Sequence, residues 1–225
     1  MKKFIVSIII LLSTPVSLLS HVDHYKAFNQ LEYELFRNNK LIGSHKYEFA
    51  RKDDLLTVKS LVYFKIKKMG LELYNYSAKS EEIYKNDKFF LFTSKTNQNK
   101  KKKYVNIKSE ENKQIIDGSS YKGPAPIDAI VGTWWNHKIV KAKSQISAIS
   151  GRIIEQKVTF IGKENIKIGN KTYNALHFNF ASSDKSLPDK KKLNTDIWYD
   201  EKSFLWIKAS FNKSGYWEYR LKSFN

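Results

Sequence analysis

The sequence predicts an all-β, mainly antiparallel fold: a curved sheet or half-barrel of about ten or eleven strands, with one short helix or loop insert that covers the concave face. From Leu31 onward, apolar and polar residues alternate with a period of two, which is the spacing of strands. Residues 55–67 would span roughly 40 Å at about 3.3 Å per residue, too long for a compact sandwich strand. Strands of that length favour a sheet that curls on itself.

The N-terminal residues 1–20 have the layout of a secretory signal peptide. Lys2 and Lys3 precede an apolar run, and small residues follow it. The apolar stretch is shorter than the roughly 20 residues that a membrane-spanning helix needs. The chain contains no cysteine, so an exported product would fold without disulfides. We therefore expect cleavage near residue 20 and a location in the periplasm of a Gram-negative bacterium.

Residues 31–116 are predicted to form a first antiparallel meander. In its longest strand, Leu56 and Val58 lie on one face, whereas Thr57 and Lys59 lie on the other. Residues that tolerate a positive φ or cap a turn separate the strands: Asn38, Asn39, Asp53, Asp54, Gly70, Asn86 and Asp87.

Residues 117–150 are predicted to form an insert between two meanders. The insert contains GPAPIDAIVGTWWNHK, residues 123–138, in which Pro126 can occupy a first helical turn. Four apolar residues have one-face helical spacing: Ile127, Ile130, Val131 and Trp134. The pattern predicts a short helix that ends near Asn136 and fills the concave side of the curved sheet.

Residues 151–225 return to strand alternation and form the second predicted meander. Its strands are expected at 152–161, 171–180, 194–200, 204–211 and 216–223. No change of composition marks a linker, so residues 21–225 are predicted to form a single β domain.

The formal net charge of +18 comes almost entirely from lysine, since only four of the 40 basic residues are arginine. Arginine is the usual reader of bases and phosphates, so we do not expect a nucleic-acid partner. The lysine runs at 100–103 and 190–192 lie between strand-like segments and are interpreted as solvated turns. Attraction to an anionic membrane surface is the alternative interpretation.

Several segments resemble a family of exported bacterial proteins of unknown function. They are LEYELFRNNKLIGSHKYEF (31–49), the tryptophan pair with the following asparagine, DIWYDEKSFLWIKASF (196–211) and YWEYRL (216–221). The family pattern is a first hairpin of the type L-x-Y-x-V-x-R-N-G-x-x-I-G, a central tryptophan and asparagine, and a last W-Y-D hairpin. The matching residues are Leu31, Tyr33, Arg37, Asn38, Ile42, Gly43, Trp135, Asn136, Trp198, Tyr199 and Asp200.

The chain departs from this pattern at two turns. Asn39 stands where the first turn usually has glycine, and Lys202 and Ser203 stand where the last hairpin usually has one. The resemblance implies a periplasmic β-sheet fold, broadly like the half-barrels that carry lipoproteins or lipids. It brings no catalytic residues with it.

Catalytic and metal-binding motifs are absent from the sequence, which has no H-E-x-x-H, no G-x-S-x-G and no cysteine-based zinc spacing. His45 and His177 lie within strand patterns and are interpreted as ordinary sheet residues. His21 and His24 could bind copper or nickel only if cleavage follows Ser20. We predict no catalytic residue, no cofactor and no metal.

Aromatic residues beside the insert are the candidate ligand contacts. Trp134 and Trp135 would point about 100° apart on a helix, so one would pack in the core and the other would be free for a rim or a ligand. The predicted ligand-binding residues are Trp134, Trp135, Asn136, His137, Tyr74 and Tyr76.

The leading functional hypothesis is a non-enzymatic periplasmic binding or carrier protein for an apolar ligand, such as a lipid or acyl chain, held in the curved sheet. The alternative is a structural or assembly module of the cell envelope, which binds another protein or an anionic membrane surface. An enzyme that uses Asp128 or His137, the polar groups nearest the tryptophans, is the third hypothesis.

Overall fold

The computed structural model describes residues 25–225, which form one large, mostly antiparallel open sheet of 15 strands. The strands are β1 Gln30–Arg37, β2 Lys40–Lys52, β3 Leu55–Lys68, β4 Leu71–Lys85, β5 Lys88–Gln98, β6 Lys101–Ser109, β7 Lys113–Gly118, β8 Lys122–Pro126, β9 Ile130–Val131, β10 Ser144–Ile146, β11 Ile153–Ile168, β12 Lys171–Ser182, β13 Asn194–Asp200, β14 Trp206–Asn212 and β15 Tyr216–Phe224. The all-β prediction is confirmed. The count of ten or eleven strands is wrong, and three of the additional strands, β8, β9 and β10, lie inside the stretch expected to be helix or loop.

The strand order shows two meanders joined at the middle of the sheet. Strands β1 to β8 follow one another outward on one side, and β15 back to β9 follow on the other. The two meanders meet where β1 pairs with β15, with Leu35 opposite Tyr219. Edge strands β8 and β9 are joined by residues 127–129 alone. Among the described strands, β9 and β10 form the one parallel pair.

Turn residues adopt the conformations that hairpins require. Asn38 and Asn39 have φ values of 48° and 61°, and Asn86 and Asp87 have 48° and 59°. Two successive residues with positive φ are typical of the type I′ turn, whose twist matches that of the two strands in a two-residue hairpin. Asn39 therefore serves as well as glycine in the first turn.

The turn between β13 and β14 is closed by a side-chain cap. Oδ2 of Asp200 accepts hydrogen bonds from the backbone N–H and the hydroxyl of Ser203, at 3.0 and 2.7 Å. Aspartate commonly closes turns in this way. The Lys202 and Ser203 pair is thereby accommodated.

The helix predicted to end near Asn136 is absent from the structure. Ile130 and Val131 instead form β9 and pair with residues of β10. Trp134 has φ 51°, a left-handed conformation that a right-handed helix cannot contain. The helix-like spacing of the apolar residues therefore comes from strand and turn residues that pack inward. A short 3₁₀ helix, His137–Lys141, begins where the predicted helix was expected to end.

The segment between β8 and β11, residues 127–152, packs against the buried face of the sheet and is called the bridging segment below. Its residues Val131 and Ile146 join a cluster with Phe92, and Trp135 joins the main core with Phe49. The bridging segment is therefore part of the core.

Among residues 25–225, no helix is long and apolar enough to cross a membrane. The predicted signal peptide at 1–20 lies outside the described residues, as do His21 and His24.

Candidate functional site

A buried polar cluster fastens the bridging segment to strand β4. Oε2 of Glu82 accepts hydrogen bonds from Nε1 of Trp135 at 3.0 Å and from Oγ1 of Thr133 at 3.2 Å. Oε1 of Glu82 accepts a hydrogen bond from the hydroxyl of Tyr84, and that hydroxyl accepts one from Nδ2 of Asn136 at 2.9 Å. Two strand residues thus hold three residues of the bridging segment.

Burial dominates the electrostatics of this cluster. Glu82 is only 2% exposed, and desolvation raises the pKa of its carboxyl above the usual 4.5. Hydrogen bonds from Tyr84, Trp135 and Thr133 oppose this rise because they favour the charged form. Burial also raises the pKa of Tyr84 well above its usual range, so that hydroxyl stays protonated and donates.

Two backbone carbonyls of the bridging segment accept hydrogen bonds from core tyrosines. The hydroxyl of Tyr47 donates to the carbonyl oxygen of Thr133 at 2.5 Å, and that of Tyr199 donates to the carbonyl oxygen of Trp134 at 2.8 Å. These tyrosines come from β2 and β13, on opposite sides of the central strands. The segment is therefore held by both meanders.

Trp135 fills the space beneath the bridging segment. Its ring lies edge to face against Tyr25 and Phe49, each with centroids 5.4 Å away, and against Tyr84 at 5.7 Å. Trp134 is half-buried and packs against Trp206 at 5.3 Å and Tyr219 at 5.5 Å. Side chains of the protein surround the Trp135 indole and cover part of the Trp134 indole.

The next two predicted residues, Asn136 and His137, lie at the edge of this packed region. Oδ1 of Asn136 accepts a hydrogen bond from the backbone N–H of Lys138 at 3.1 Å and so caps the 3₁₀ helix. The ring of His137 stacks on Phe204 with centroids 4.9 Å apart. Both residues line a cleft.

The cleft has a volume of about 880 Å³. Its walls come from the β4–β5 turn, the β6–β7 turn and the bridging segment. The apolar part of the lining consists mainly of Phe89, Phe90, Ile127, Ile130 and Val140. Phe90 and Ile127 are 44% and 49% exposed, so apolar surface faces solvent at this site.

Tyr74 and Tyr76 lie away from the cleft. On β4 they stack against Phe64, with centroids 6.0 and 4.7 Å away, in a separate cluster that includes Leu35. The six predicted ligand residues therefore fall in three places: the cleft for Asn136 and His137, the packed region for the two tryptophans, and the Phe64 cluster for the two tyrosines.

Sequence reasoning missed Glu82 and the cleft residues of β5. Glu82 shares the strand parity of Tyr76 and Tyr84, so a carboxylate on an aromatic face was a usable signal for a buried polar cluster. Phe89 and Phe90 carry no comparable signal, because adjacent phenylalanines must point to opposite faces of a regular strand. A bulge interrupts the pairing of β4 with β5 at this point. Ile83 pairs with Leu91 and Tyr84 pairs with Phe89, so Phe90 is the extra residue of the bulge.

A second polar cluster surrounds His177. Its Nδ1 lies 2.9 Å from Oε1 of Glu164, and its Nε2 lies 3.0 Å from Oδ1 of Asp196. The imidazole stacks on Trp198 with centroids 4.2 Å apart. Within residues 25–225, no group of three or more His, Cys, Asp or Glu side chains is placed to hold a metal ion.

The fold and the cleft define an all-β protein built on one large antiparallel sheet. The chain belongs to a family of unknown function: residues 33–222 match the family model described as "Domain of unknown function (DUF6134)". This match agrees with the unknown-function family that the sequence resembles. No curated protein matches the chain significantly.

Proposed function

We propose that the protein binds or carries an amphipathic ligand, such as a lipid or other acyl chain, without catalysing a reaction. The cleft beside the bridging segment carries this proposal. Its volume of about 880 Å³ falls in the range of small-molecule sites, roughly 300–1,000 Å³. Because Trp135 fills the space beneath the segment, the ligand site proposed here is the cleft at its edge.

The lining of the cleft favours a ligand with an apolar part. Exposed Phe90 and Ile127 line the cleft together with half-buried Phe89, Ile130 and Val140, which come from two separate chain segments. Apolar surface exposed in a concave site is a common mark of ligand binding. An acyl chain would remove this surface from water.

Polar groups at the cleft favour an anionic head group. Lys138 and Lys141 both line it and belong to the 3₁₀ helix, in which residues three apart lie in one row. Two ammonium groups in a row suit a carboxylate or a phosphate. Acidic residues also line the cleft: Asp87, Glu110 and Glu111 at the two turns, and Asp128 at the start of the bridging segment. We therefore place the head group at the 3₁₀ helix, away from the turns.

The proposal also includes the cellular location of the protein and the curvature of its sheet. Export to the periplasm rests on the layout of residues 1–20. A curved sheet or half-barrel, with the bridging segment on its concave face, is supported by the shared clusters of that segment with both meanders.

Isothermal titration calorimetry with palmitate and with dodecyl phosphate tests the proposal. Val140→Trp fills the cleft and should abolish binding of both probes. Ile161→Trp is the matched control, because Ile161 is 55% exposed on β11 and lies outside the cleft lining. The absence of binding by the unaltered protein, or equal binding by both variants, would contradict the proposal.

The head-group assignment has its own test. Lys138→Gln with Lys141→Gln should weaken dodecyl phosphate binding at least about tenfold, since each charge-assisted hydrogen bond contributes roughly 1.5–3 kcal/mol. Lys190→Gln with Lys191→Gln, on the exposed 3₁₀ helix Asp189–Lys191, should leave binding unchanged. Equal weakening by both pairs would assign the effect to net charge alone.

A second proposal is a structural or assembly module of the cell envelope that binds an acidic protein. A groove of about 1,100 Å³ on the sheet favours it, because lysines outnumber carboxylates in its lining: Lys46, Lys59, Lys79, Lys95, Lys102 and Lys103 against Glu48 and Glu81. Chemical cross-linking in envelope fractions, compared between the unaltered protein and Lys79→Glu with Lys95→Glu, would test it. Loss of a specific cross-linked species in the variant would support this proposal, and an unchanged pattern would count against it.

A further inference from the structure

The turn between β3 and β4 exposes apolar side chains at the end of a long hairpin. Met69 is 93% exposed, Leu71 is 69% exposed and Leu73 is 53% exposed. Residues 65–73, which contain these three, are called the hairpin tip below. Isolated apolar residues on a surface are ordinary, but three within five positions at a protruding turn form a patch.

Turn geometry does not require an apolar residue here. Met69 and Gly70 have φ values of 50° and 79°, the conformation that Asn-Gly pairs adopt most readily. The equivalent turns of this protein use Asn38 with Asn39 and Asn86 with Asp87. Asparagine, aspartate or glycine would adopt this turn at a lower backbone cost than methionine.

Lysines surround the apolar tip. Lys65, Lys67 and Lys68 belong to it, and Nζ of Lys65 pairs with Oε2 of Glu72 at 2.6 Å. The neighbouring β5–β6 turn lies at the same end of the sheet, because the backbone N–H of Asn99 donates to the carbonyl oxygen of Asn75 at 2.7 Å. That turn leads into the lysine run 100–103. Together the two segments carry seven lysines against one carboxylate.

We propose that the hairpin tip docks the protein on an anionic membrane surface. Met69, Leu71 and Leu73 enter the interface between head groups and acyl chains, and the lysines of both turns pair with anionic lipid head groups. Apolar side chains ringed by lysine are the composition of elements that lie in a membrane interface. The charge is complementary to such a surface, and the protruding apolar point fits a deformable lipid layer.

Docking at the tip is independent of the proposed cleft. Strand β4 leads from Leu71 at the tip to Tyr84 at the cleft, roughly 45 Å at about 3.3 Å per residue. A docked protein would hold the cleft well away from the lipid surface. The two proposals can therefore fail separately.

Vesicle co-sedimentation tests the docking surface. The full-length protein should bind vesicles made from equal parts of phosphatidylglycerol and phosphatidylcholine, and not vesicles of phosphatidylcholine alone. Lys67→Gln with Lys68→Gln should weaken binding about 25-fold, since each lysine near the surface contributes roughly fivefold. Met69→Ser with Leu71→Ser should weaken it at least about tenfold. The control Ile161→Ser, at an exposed apolar position on β11, should bind like the unaltered protein.

A fluorescent label distinguishes insertion from charge attraction. The chain has no cysteine, so Met69→Cys and Ile161→Cys each provide a single labelling site. An environment-sensitive dye at position 69 should brighten and shift to shorter wavelength with the anionic vesicles, whereas a dye at 161 should not. Failure to bind these vesicles, binding that the tip variants do not weaken, or an unchanged dye at position 69 would each overturn the proposal. Tip-dependent capture of an acidic protein without vesicle binding would overturn it in favour of a protein partner.

Discussion

Nε1 of Trp135 donates a hydrogen bond to Oε2 of Glu82 across 3.0 Å, between residues 53 positions apart in the chain. This bond joins the bridging segment to strand β4 at a point where both residues are almost fully buried. A buried carboxylate is stable only when its acceptor sites are satisfied, so the position of the segment and the state of Glu82 depend on each other.

Replacement of Trp135 by phenylalanine should destabilise the protein by about 1 to 3 kcal/mol, because it keeps an aromatic ring but removes a donor to a buried carboxylate. Urea denaturation measures the change. The matched control is Trp217→Phe, since Nε1 of Trp217 donates to the carbonyl oxygen of Lys213 at the exposed surface. An equal loss of stability in the two variants would contradict the role given to the Glu82 bond.

Glu82 should also leave a signature in the pH dependence of stability. Burial raises its pKa in the folded state above 4.5, so the folded protein binds the proton more tightly than the unfolded chain. The contribution of Glu82 to stability is therefore fully present below about pH 4.5. It is lost as the pH rises through the raised pKa of the folded state.

Glu82→Gln should abolish that loss. Denaturation of both proteins over a series of pH values gives the difference in unfolding free energy, which should become more favourable to the variant as pH rises above about 4.5. A difference that stays constant with pH would show that Glu82 is ionised with a normal pKa.

His45 should have the opposite effect. Burial lowers its pKa to about 3, and its Nε2 lies 2.8 Å from Oγ of Ser60. The imidazole of the unfolded chain takes up a proton near pH 6.5, whereas that of the folded protein does not. The contribution of His45 to stability is therefore fully present above pH 6.5 and is lost as the pH falls towards 3. The loss should approach roughly 1.4 kcal/mol per pH unit.

His45→Phe keeps an aromatic ring beside Tyr47 and removes the titrating group. Below about pH 6 the variant should lose stability less steeply than the unaltered protein, as measured by urea denaturation. Parallel curves for the two proteins would contradict the burial of a neutral imidazole.

Gly43 should not tolerate a side chain. A Cβ atom there would clash with the backbone oxygen of Tyr63 and lie 2.5 Å from Cβ of Phe64. Backbone on the neighbouring strand cannot move without breaking the sheet, so Gly43→Ala should cost about 3 kcal/mol of stability. Ser44→Ala, at the next, exposed position, is the control and should change stability by less than about 0.5 kcal/mol.

Alternation and turn chemistry were sufficient to predict the all-β class and the position of several strands. Strand β3, for example, runs Leu55–Lys68, where residues 55–67 were expected, because its apolar face is buried or half-buried along most of its length. The insert was harder to predict. Ile130 and Val131 have helical spacing with Trp134, yet a two-residue strand carries no period of its own and depends on pairing with Gln145 and Ile146, a contact that local sequence does not encode.

The same limit applies to the candidate site. Asn136 and His137 could be singled out because they follow the tryptophan pair. The cleft that they line also needs the turns after β4 and β6, and these approach the bridging segment only through the order of strands in the sheet. Glu82 acquires its role from Thr133 and Trp135, which lie about fifty positions away in the chain.

Mass spectrometry of the protein isolated from its native source tests the binding proposal most directly. Under native conditions the spectrum should show a bound acyl lipid in stoichiometric amount, which organic extraction releases and which Val140→Trp lacks. A spectrum of the chain alone, from protein that also fails to bind palmitate or dodecyl phosphate, would contradict the proposal.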